Sequence, residues 1–300
     1  MNLGSLCDQA ATDAIVATAF DLGVNFFDVA DIYGGTMNRS EAMLGKALGA
    51  RRSEVVIATK FGAKLGGGGG AAPGGGSADY IRQAVEASLA ALGTDYLDLY
   101  QHHFPDAGTP VEETLEALNA LVRQGKVRHI GLSNETPWGV HRYLHLADTS
   151  GRQRVVSIQN PYNLLNRTFD IGLAELCIRE DVGLLGYSPM AFGVLSGKFL
   201  GGARPPEARM VRWPRYSRYG SEQAARATEA YAGLAAGHGL DLAQMSLAFC
   251  RQQRFMTSVL IGATTLDQLR TNLGSASLTL SAEVIKGIEG IHRTHPNPCP

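Results

Sequence analysis

Short apolar segments rich in β-branched and aromatic residues alternate with amphipathic helical segments along this 300-residue chain. These segments predict strands at about residues 24–30, 54–59, 96–100, 127–132, 155–158, 182–186 and 258–261. Strands that alternate with helices form a parallel sheet, because each connection has to return to the same edge. The order and number of segments therefore predict an α/β fold, a (β/α)8 TIM barrel whose strands two to eight are visible. We find no linker that would split residues 1–300, so one domain is expected.

Bulk properties exclude several classes of protein. The formal net charge is −1 and the isoelectric point is about 6.7, which gives no electrostatic reason to expect nucleic acid or an anionic membrane as partner. No apolar run approaches the ~20 residues of a membrane span, and no secretory signal is visible. The four cysteines are far apart, which fits a reducing cytoplasm and argues against a zinc knuckle or a disulfide framework. We expect a cytoplasmic protein.

Local signals place the helix ends and one loop. Ser77 is a predicted N-cap, Thr109-Pro110-x-Glu112 reads as a capping box with proline at the first helical position, and Asp241 and Gln244 are spaced like a cap pair. Residues 66–76 form a tract of glycine, alanine and proline. Its Gly67-x-Gly69-x-x-Ala72 formally matches a dinucleotide fingerprint, but it opens no helix and follows from composition. We therefore predict a mobile loop there.

Polar side chains follow the carboxyl ends of the predicted strands, which all face one rim in a parallel barrel. Asp28, Lys60 and His103 stand at three of these ends, and Tyr33 lies on a glycine-bounded turn five residues after Asp28. The other four strand ends carry Ser133-Asn134, Gln159-Asn160, Tyr187-Ser188 and Gly262. Each has an ordinary structural explanation, such as a helix cap, a solvated lysine or a hydrogen-bonded core histidine. Their occurrence on one rim favours a catalytic site.

The residue types at this rim fit one kind of chemistry. A tyrosine phenol has a pKa near 10 and is a poor proton donor at neutral pH, but a buried lysine ammonium beside it favours the phenolate. The ammonium needs a carboxylate partner, which Asp28 can supply, and a histidine can orient a substrate oxygen. Such a group protonates an oxygen while a nucleophile reaches the carbon, and hydride from a nicotinamide cofactor fits that role.

Motifs in order along the chain resemble those of the aldo-keto reductase superfamily, especially its bacterial NADP(H)-dependent members and the related potassium-channel β-subunit branch. The motifs are FFDVADIYG, IATKFG, DLYQHHFPD, GLSN, QNPYNLLNR, GYSPMAFGVLSGKF and VLIGATTLDQLRTN. The likeness runs from about residue 2 to the C-terminus. It implies a metal-free (β/α)8 barrel that reduces aldehydes and ketones to alcohols with NADPH.

The resemblance assigns roles to individual residues. Asp28, Tyr33, Lys60 and His103 match the catalytic tetrad, and His102 is a neighbour that must point to the other side of its strand. Ser133, Asn134 and Gln159 match the residues that hold the nicotinamide carboxamide, and Tyr187 matches the ring that stacks on the nicotinamide. The remaining expected cofactor-binding residues are Ser188, Met190, Gly193, Leu195, Gly197 and Lys198 over the pyrophosphate and Gly262, Thr264, Gln268 and Asn272 at the adenosine end. Arg209 is a candidate to cover the cofactor, or else a solvated surface arginine.

Three departures from the family pattern bear on these expectations. Met1-Asn2-Leu3-Gly4 matches only the end of the family's first strand, so either the true start lies upstream or the first strand is truncated. A truncated strand predicts low stability or compensation by oligomerisation. Thr271 stands where many relatives carry glutamate, which weakens the expected contact to adenine and leaves the preference for NADPH resting on the family. The glycine tract after Lys60 is either a substrate lid or filler, and we favour filler.

Two other functions stay open at this point. A regulatory protein that binds the cofactor but turns over poorly would share every motif, as the likeness to channel β-subunits implies. A Schiff-base aldolase using Lys60 would share the fold, although a carboxylate partner that keeps the lysine charged argues against it. The aromatic residues expected to line a pocket for an apolar carbonyl substrate are Tyr33, Phe61, Phe104, Trp138, Phe192 and Trp213.

Overall fold

The computed structural model describes residues 1–65 and 70–300, apart from the side chains of residues 214 and 215. The chain divides into two compact units. The first unit comprises residues 1–159 and 262–269, and the second comprises residues 160–261 and 270–300. The fingerprint-like residues Gly67 and Gly69 lie outside the described residues.

The first unit alternates helices and parallel strands. Its elements in chain order are α1 (Gln9–Asp21), β1 (Phe26–Asp28), α2 (Arg39–Leu48), β2 (Val56–Phe61), α3 (Ala78–Leu92), β3 (Leu97–His102), α4 (Val111–Arg123), β4 (Val127–Ser133), α5 (Pro137–Ser150) and β5 (Ser157–Gln159). Each strand pairs in parallel with the next strand along the chain. The prediction of a parallel α/β arrangement is confirmed for this unit.

The register of these strands places polar residues near their carboxyl ends opposite one another. Lys60 lies opposite Gln101 across β2 and β3, and Ser133 lies opposite Gln159 across β4 and β5. Gly131 makes room at this level, because a Cβ there would lie 2.6 Å from Ser157 Oγ and 3.2 Å from Gln101 Cγ. Since side chains alternate between the two faces of a strand, Lys60 and Gln101 share a face and Phe61 and His102 occupy the other.

Helix caps follow the sequence at most positions and depart from it at one. The side chains of Ser77 and Thr136 accept hydrogen bonds from the first turns of α3 and α5. The predicted capping box at Thr109 is wrong. Helix α4 begins at Val111 with Pro110 at its N-cap and no side-chain cap, and Thr109 Oγ1 instead donates to Asp106 Oδ2 over 2.7 Å. An N-cap hydroxyl has to accept from a helix N–H, and among the described residues no N–H of α4 donates to Thr109, whose hydroxyl is instead held by the Asp106 carboxylate.

Charged side chains join the amino ends of β2, β3 and β4. Asp98 is 5% exposed and accepts from the Ile57 backbone N–H, from Arg52 and from Arg128 at 2.7–2.9 Å. Both guanidinium groups also stack on the Tyr96 ring, with each Cζ 4.0 Å from its centroid. An open depression of about 700 Å³ beside Arg52 and Tyr96 lies at this end of the strands. Every guanidinium nitrogen of Arg52 already donates a hydrogen bond within the protein, so this depression is not a candidate ligand-binding site.

Two loops of the first unit are fastened to other segments of that unit by hydrogen bonds. Residues 70–76 are fastened by Ala72 N–H to the Gly62 carbonyl (2.8 Å), by Gly76 N–H to Asp106 Oδ2 (3.1 Å) and by Thr114 Oγ1 to the Gly76 carbonyl (2.8 Å). At the N-terminus, the chain from Asn2 to Cys7 turns back on itself, and Asn2 Nδ2 donates to the Ala263 carbonyl over 3.1 Å. Among the described residues before β1, the only β-type pairing is an isolated bridge between Leu3 and Cys7.

The second unit carries the remaining elements. They are α6 (Leu173–Glu180), β6 (Gly183–Gly186), α7 (Arg209–Arg212), α8 (Glu222–Gly237), α9 (Leu242–Arg251), β7 (Met256–Val259), α10 (Leu266–Gly274, which begins in the first unit) and α11 (Ala282–Thr294). Strands β6 and β7 are parallel, and β7 starts two residues before the predicted segment. Asp241 caps α9 by accepting from the Gln244 N–H, as its spacing predicts. Among the described residues, none of the helices combines the length and hydropathy needed to cross a bilayer.

Candidate active site

A buried ion pair lies at the carboxyl ends of β1 and β2. Lys60 Nζ donates to Asp28 Oδ1 over 2.6 Å and to the Val29 carbonyl over 2.8 Å. The lysine side chain has no solvent exposure, whereas that of Asp28 is 13% exposed. Burial lowers the pKa of Lys60, and the Asp28 carboxylate opposes that change. Since removing either partner would leave a buried charge alone, the two positions depend on each other.

Two glutamine amides complete the surroundings of Asp28. Gln159 Nε2 donates to Asp28 Oδ2 over 2.8 Å, and Gln101 Nε2 approaches the same oxygen at 3.4 Å. Gln101 also accepts from Gln159 through its Oε1, at 3.3 Å. Both glutamines are buried. The carboxylate is therefore held by one ammonium and two amides, which fixes its orientation toward Lys60.

Tyr33 lies over this ion pair on the turn that follows β1. Lys60 Nζ is 5.0 Å from the centroid of the Tyr33 ring. The turn is held by the Tyr33 N–H, which donates to the Ala30 carbonyl over 3.1 Å, and by the Tyr33 carbonyl, which accepts from the Ser40 N–H at the start of α2. The phenol thus lies beside a fixed positive charge, the arrangement that favours loss of its proton.

The two adjacent histidines have different neighbours. The His103 ring meets the Tyr33 ring edge to face, with centroids 5.7 Å apart, and its backbone N–H extends the β2–β3 pairing to the Phe61 carbonyl. Burial, and then the charge of Lys60, holds the pKa of His103 well below its ordinary value, so the imidazole is neutral at neutral pH. A neutral imidazole beside a phenol can orient a substrate oxygen by hydrogen bonding.

His102 occupies the opposite face of β3. Its ring stacks on Phe61 with centroids 5.2 Å apart, and its Nδ1 lies 3.5 Å from Tyr143 Oη. Burial lowers the pKa of His102 to about 4. Phe61 has no solvent exposure and packs between His102 and Tyr100, so its expected place in a substrate pocket is wrong. Alternation is the reason, because Lys60 points toward the site and Phe61 must point away.

Ser133 and Asn134 tie the ends of β3, β4 and β5 together. Ser133 Oγ donates to the Gln159 carbonyl over 2.8 Å, and Asn134 Nδ2 donates to the His103 carbonyl over 2.9 Å. Asn134 has a φ of 56°, in the left-handed region that costs a non-glycine residue about 1 kcal/mol. Strain of this kind persists where the surrounding contacts determine the conformation and is common at functional sites.

In the second unit, the loop after β6 holds several of the residues predicted to bind a cofactor. Tyr187 is half-buried, and its backbone exchanges hydrogen bonds with Asn160 and Tyr162. Ser188, Ala191 and Phe192 all have φ between 48° and 55°. Met190 is half-buried and Leu195 is fully buried beneath the turn Ala191–Ser196. A loop with several left-handed residues turns its amides to one side, which is the geometry of anion-binding backbone nests.

Glycines in this loop allow close packing of a lysine. A Cβ at Gly193 would lie 2.6 Å from Lys198 Nζ, and Gly197 has a φ of 80° that a side chain would oppose. Burial lowers the pKa of Lys198. Arg209 is half-buried, with its Cζ 5.5 Å from the Phe192 ring centroid and 5.6 Å from that of Tyr216. Its guanidinium thus lies near two aromatic rings.

The segment after β7 carries the residues expected at an adenosine. In the first unit, Gln268 Oε1 accepts from both the N–H and the hydroxyl of Thr264 at 3.0 Å. A Cβ at Gly262 would lie 3.1 Å from Asn2 Nδ2. In the second unit, Asn272 is 5% exposed and its Nδ2 has no hydrogen-bond partner among the described residues. The Thr271 carbonyl accepts from Gln244 Nε2 over 3.0 Å.

Sequence reasoning missed three buried polar residues close to the ion pair. These are Gln101, Asp31 and Glu41, each 1% exposed or less. Gln101 could have been found, because it lies two residues before His103 and alternation puts it on the same face of its strand as that residue. Asp31 and Glu41 carried no such signal. Their burial depends on how α2 packs, which local sequence does not reveal.

Comparison with known proteins agrees with this geometry. A model of the family described as "Aldo/keto reductase family" matches residues 1–293. Protein tas of Escherichia coli K12 is 43% identical over the whole of this chain and 94% of its own length. An L-glyceraldehyde 3-phosphate reductase of E. coli O157:H7 is 32% identical over 96% of this chain and 85% of its own. A probable voltage-gated potassium channel subunit beta of rice is 31% identical over 99% and 92%, respectively.

Proposed function

This chain belongs to the aldo/keto reductase family of oxidoreductases, and we propose that it reduces aldehydes and ketones to alcohols with NADPH. The single observation that carries the proposal is the group formed by Asp28, Lys60 and Tyr33. A tyrosine whose ring centroid lies 5.0 Å from a fully buried ammonium, itself fixed by a carboxylate at 2.6 Å, is a proton donor suited to an oxygen that gains negative charge.

In the proposed reaction the substrate carbonyl oxygen approaches Tyr33 and the neutral His103. The bound cofactor would supply a hydride to the carbonyl carbon. The C=O π electrons move to the oxygen, which takes the Tyr33 proton, so the products are an alcohol and a phenolate stabilised by Lys60. Asp28 keeps the ammonium in place, and Gln101 and Gln159 keep Asp28 in place.

Each of the two units, taken separately, contains residues that fit part of an NADP(H) molecule. In the second unit, the left-handed loop 188–193 and Lys198 suit a pyrophosphate, and the unpartnered Nδ2 of the buried Asn272 is a donor that a nucleotide base could use. Tyr187 would stack on the nicotinamide, and Arg209 would lie over the cofactor. In the first unit, Ser133, Asn134 and Gln159 would hold the carboxamide, and Gly262, Thr264 and Gln268 would bind at the adenosine end.

Several finer points remain part of the proposal. We propose a cytoplasmic enzyme with a small carbonyl substrate, built as one (β/α)8 domain, in which self-association is an expectation from sequence. The continuous family match over residues 1–293 supports the single domain. The shortened first strand stays a prediction.

The decisive experiment follows NADPH absorbance in the presence of 4-nitrobenzaldehyde. The wild-type protein should consume NADPH, and Tyr33→Phe should lower kcat by a factor of roughly 10² to 10⁴ while NADPH binding persists. Tyr96→Phe is the matched control, because Tyr96 lies beside Arg52 and Arg128 at the amino end of β3, outside the proposed group. A Tyr33→Phe enzyme with wild-type turnover would contradict the proposed role of the phenol.

One observation favours a second function. Because the chain is similar to a probable potassium channel subunit beta, a role as a cofactor-binding regulator with little turnover is the second candidate. NADPH binding by the wild type without consumption across a panel of aldehydes would support that function. The aldolase alternative is disfavoured by the Asp28 contact, and borohydride trapping of a substrate on Lys60 would revive it.

A further inference from the structure

Two further carboxyl groups lie near Lys60, and neither takes part in the proposed reaction. Asp31, on the turn after β1, is 1% exposed, and Glu41, on α2, is fully buried. The Asp31 backbone N–H donates to the Lys60 carbonyl over 3.3 Å, which fixes the turn against β2. One ammonium therefore faces three buried or nearly buried carboxyls, those of Asp28, Asp31 and Glu41.

Counting hydrogen bonds separates the three carboxyls. Asp28 has the Lys60 ammonium and two glutamine amides. Glu41 accepts from Thr59 Oγ1 over 2.5 Å and from Asn38 Nδ2 over 2.6 Å. Neither oxygen of Asp31 has a hydrogen-bond partner of normal geometry among the described residues. Three anions against one cation would be costly in a buried site, and the carboxyl with the fewest hydrogen-bond donors is the one that gives up its charge by taking a proton.

We propose that Asp31 is a positioning residue that carries a proton in the folded protein, and that its neutrality leaves the Lys60 charge available to Tyr33. The inference rests on the proposed function for its effect on catalysis, whereas the protonated state itself can be measured without any activity.

The groups around Asp31 act on its pKa in both directions, and those that raise it prevail. Burial, and then the charge of Glu41, raises the pKa of Asp31 to about 7, while the Ile32 backbone N–H and Lys60 lower it less. Tyr80 on α3 and Tyr100 on β3 also face Asp31, and burial, then its charge, raises the pKa of each phenol. Both phenols therefore stay neutral at neutral pH and bring no charge that would offset that of Asp31.

Ionisation of Asp31 should oppose the reaction. In the proposed step, Tyr33 gives up its proton and becomes a phenolate beside Lys60. An ionised Asp31 would add negative charge near the same ammonium and disfavour that phenolate, since like charges in a low-dielectric site raise each other's free energy. Reduction should therefore slow as the pH rises through the Asp31 transition.

Infrared difference spectroscopy tests the protonated state directly. At about pH 6, below the transition, the wild type should show the C=O stretch of a neutral carboxylic acid, and Asp31→Asn should lack it. Asp31→Ser serves as a second variant, because the band must vanish from either. Asp95→Asn, the same change at an exposed turn, should keep the band. A spectrum of the wild type without the band, or a band that persists in both Asp31 variants, would overturn the inference.

The pH dependence of stability gives an independent measurement. The folded-state pKa of Asp31 lies above its ordinary 3.8, so the folded state binds more protons between 3.8 and about 7 and the contribution of Asp31 to stability falls as pH rises through that window. The Tm of Asp31→Asn relative to wild type should increase between about pH 4 and 8. Parallel Tm curves for the two proteins would count against the protonated state.

Kinetics then separate this inference from the proposed function. The kcat for carbonyl reduction by the wild type should fall several-fold as pH rises through about 7, and Asp31→Asn should hold its rate to higher pH. Identical pH profiles would refute the positioning role even if the band is present. A wild type without any turnover would instead refute the proposed function, while the infrared and Tm results would still decide the state of Asp31.

Discussion

Lys60 Nζ lies 2.6 Å from Asp28 Oδ1, and the environments of the two partners are unequal. The ammonium is fully buried and, among the residues that the structure describes, donates only to Asp28 and the Val29 carbonyl, whereas Asp28 is partly exposed and accepts from two glutamine amides as well. The carboxylate can therefore survive the loss of its partner better than the ammonium can.

This asymmetry predicts the outcome of a double-mutant cycle. Asp28→Asn leaves a buried ammonium without a counter-ion and should lower the free energy of unfolding by about 3 kcal/mol or more. Lys60→Met should cost less, since the amides of Gln101 and Gln159 still hold Asp28. The double variant should be more stable than the sum of the single changes implies. Additive urea-unfolding energies would show that the pair is not coupled.

His102 should make stability depend on pH in the acid range. Its folded-state pKa of about 4 is below the ordinary 6.5, so the unfolded chain takes up a proton first as pH falls. The contribution to stability is complete above pH 6.5 and is lost progressively toward about 4, a change of about 3 kcal/mol.

The test is His102→Phe, which keeps a ring stacked on Phe61 and cannot titrate. Urea unfolding between about pH 4 and 7 should have a weaker acid dependence in this variant than in wild type, while His103 continues to contribute in the same direction. His145→Gln, at an exposed position on α5, should reproduce the wild-type slope. An unchanged slope in His102→Phe would contradict the burial argument.

Asn134 combines a left-handed backbone with a side-chain tie to His103. Asn134→Gly removes the hydrogen bond but relieves the backbone, whereas Asn134→Ala removes the bond and keeps a Cβ at a φ of 56°. The alanine variant should therefore unfold at lower denaturant, with a free energy about 1 kcal/mol below that of the glycine variant. Both should lower kcat/KM by loosening His103. Equal stability of the two variants would mean that the backbone relaxes.

Gly45 marks the closest approach of α2 to α3. A Cβ at this position would overlap with the Leu92 carbonyl, a backbone group that cannot move aside. Gly45→Ala should thus destabilise the protein by about 1–3 kcal/mol, in spite of alanine's better helix propensity. Gly233→Ala, in the exposed middle of α8 with nothing within 4 Å, is the matched control and should stabilise by about 0.5–1 kcal/mol. Thermal unfolding of the two variants should shift in opposite directions.

The features that sequence predicted are those set by neighbours along the chain. Strand positions follow from apolar runs, and the caps at Ser77 and Asp241 need only the three residues that follow each. The opposite orientations of His102 and His103 follow from alternation in a single strand. Where local competition enters, prediction fails, as at Thr109, whose hydroxyl goes to Asp106 and not to the helix.

Features that depend on distant segments were not accessible in the same way. Gln159 was expected to hold a carboxamide, but its Nε2 also reaches Asp28, 131 residues earlier in the chain. The unpartnered carboxyl of Asp31 depends on the placement of Glu41 and Lys60 around it, and no spacing in the sequence encodes that. The grouping of Asp28, Tyr33, Lys60 and His103 is thus predictable from motifs, whereas the buried polar groups around them have to be observed.

Strand β3 begins next to the Arg52–Asp98–Arg128 cluster and ends at the two histidines. A few residues therefore separate this charged cluster from the proposed catalytic residues. The two ends share a backbone but, among the described residues, no side-chain hydrogen bond joins Asp98 to His102 or His103. Natural selection or a protein engineer could therefore adjust thermal robustness at the Asp98 end without altering turnover. Stability gained at the Asp98 end would allow destabilising substitutions at the other end of the strand that change the substrate specificity.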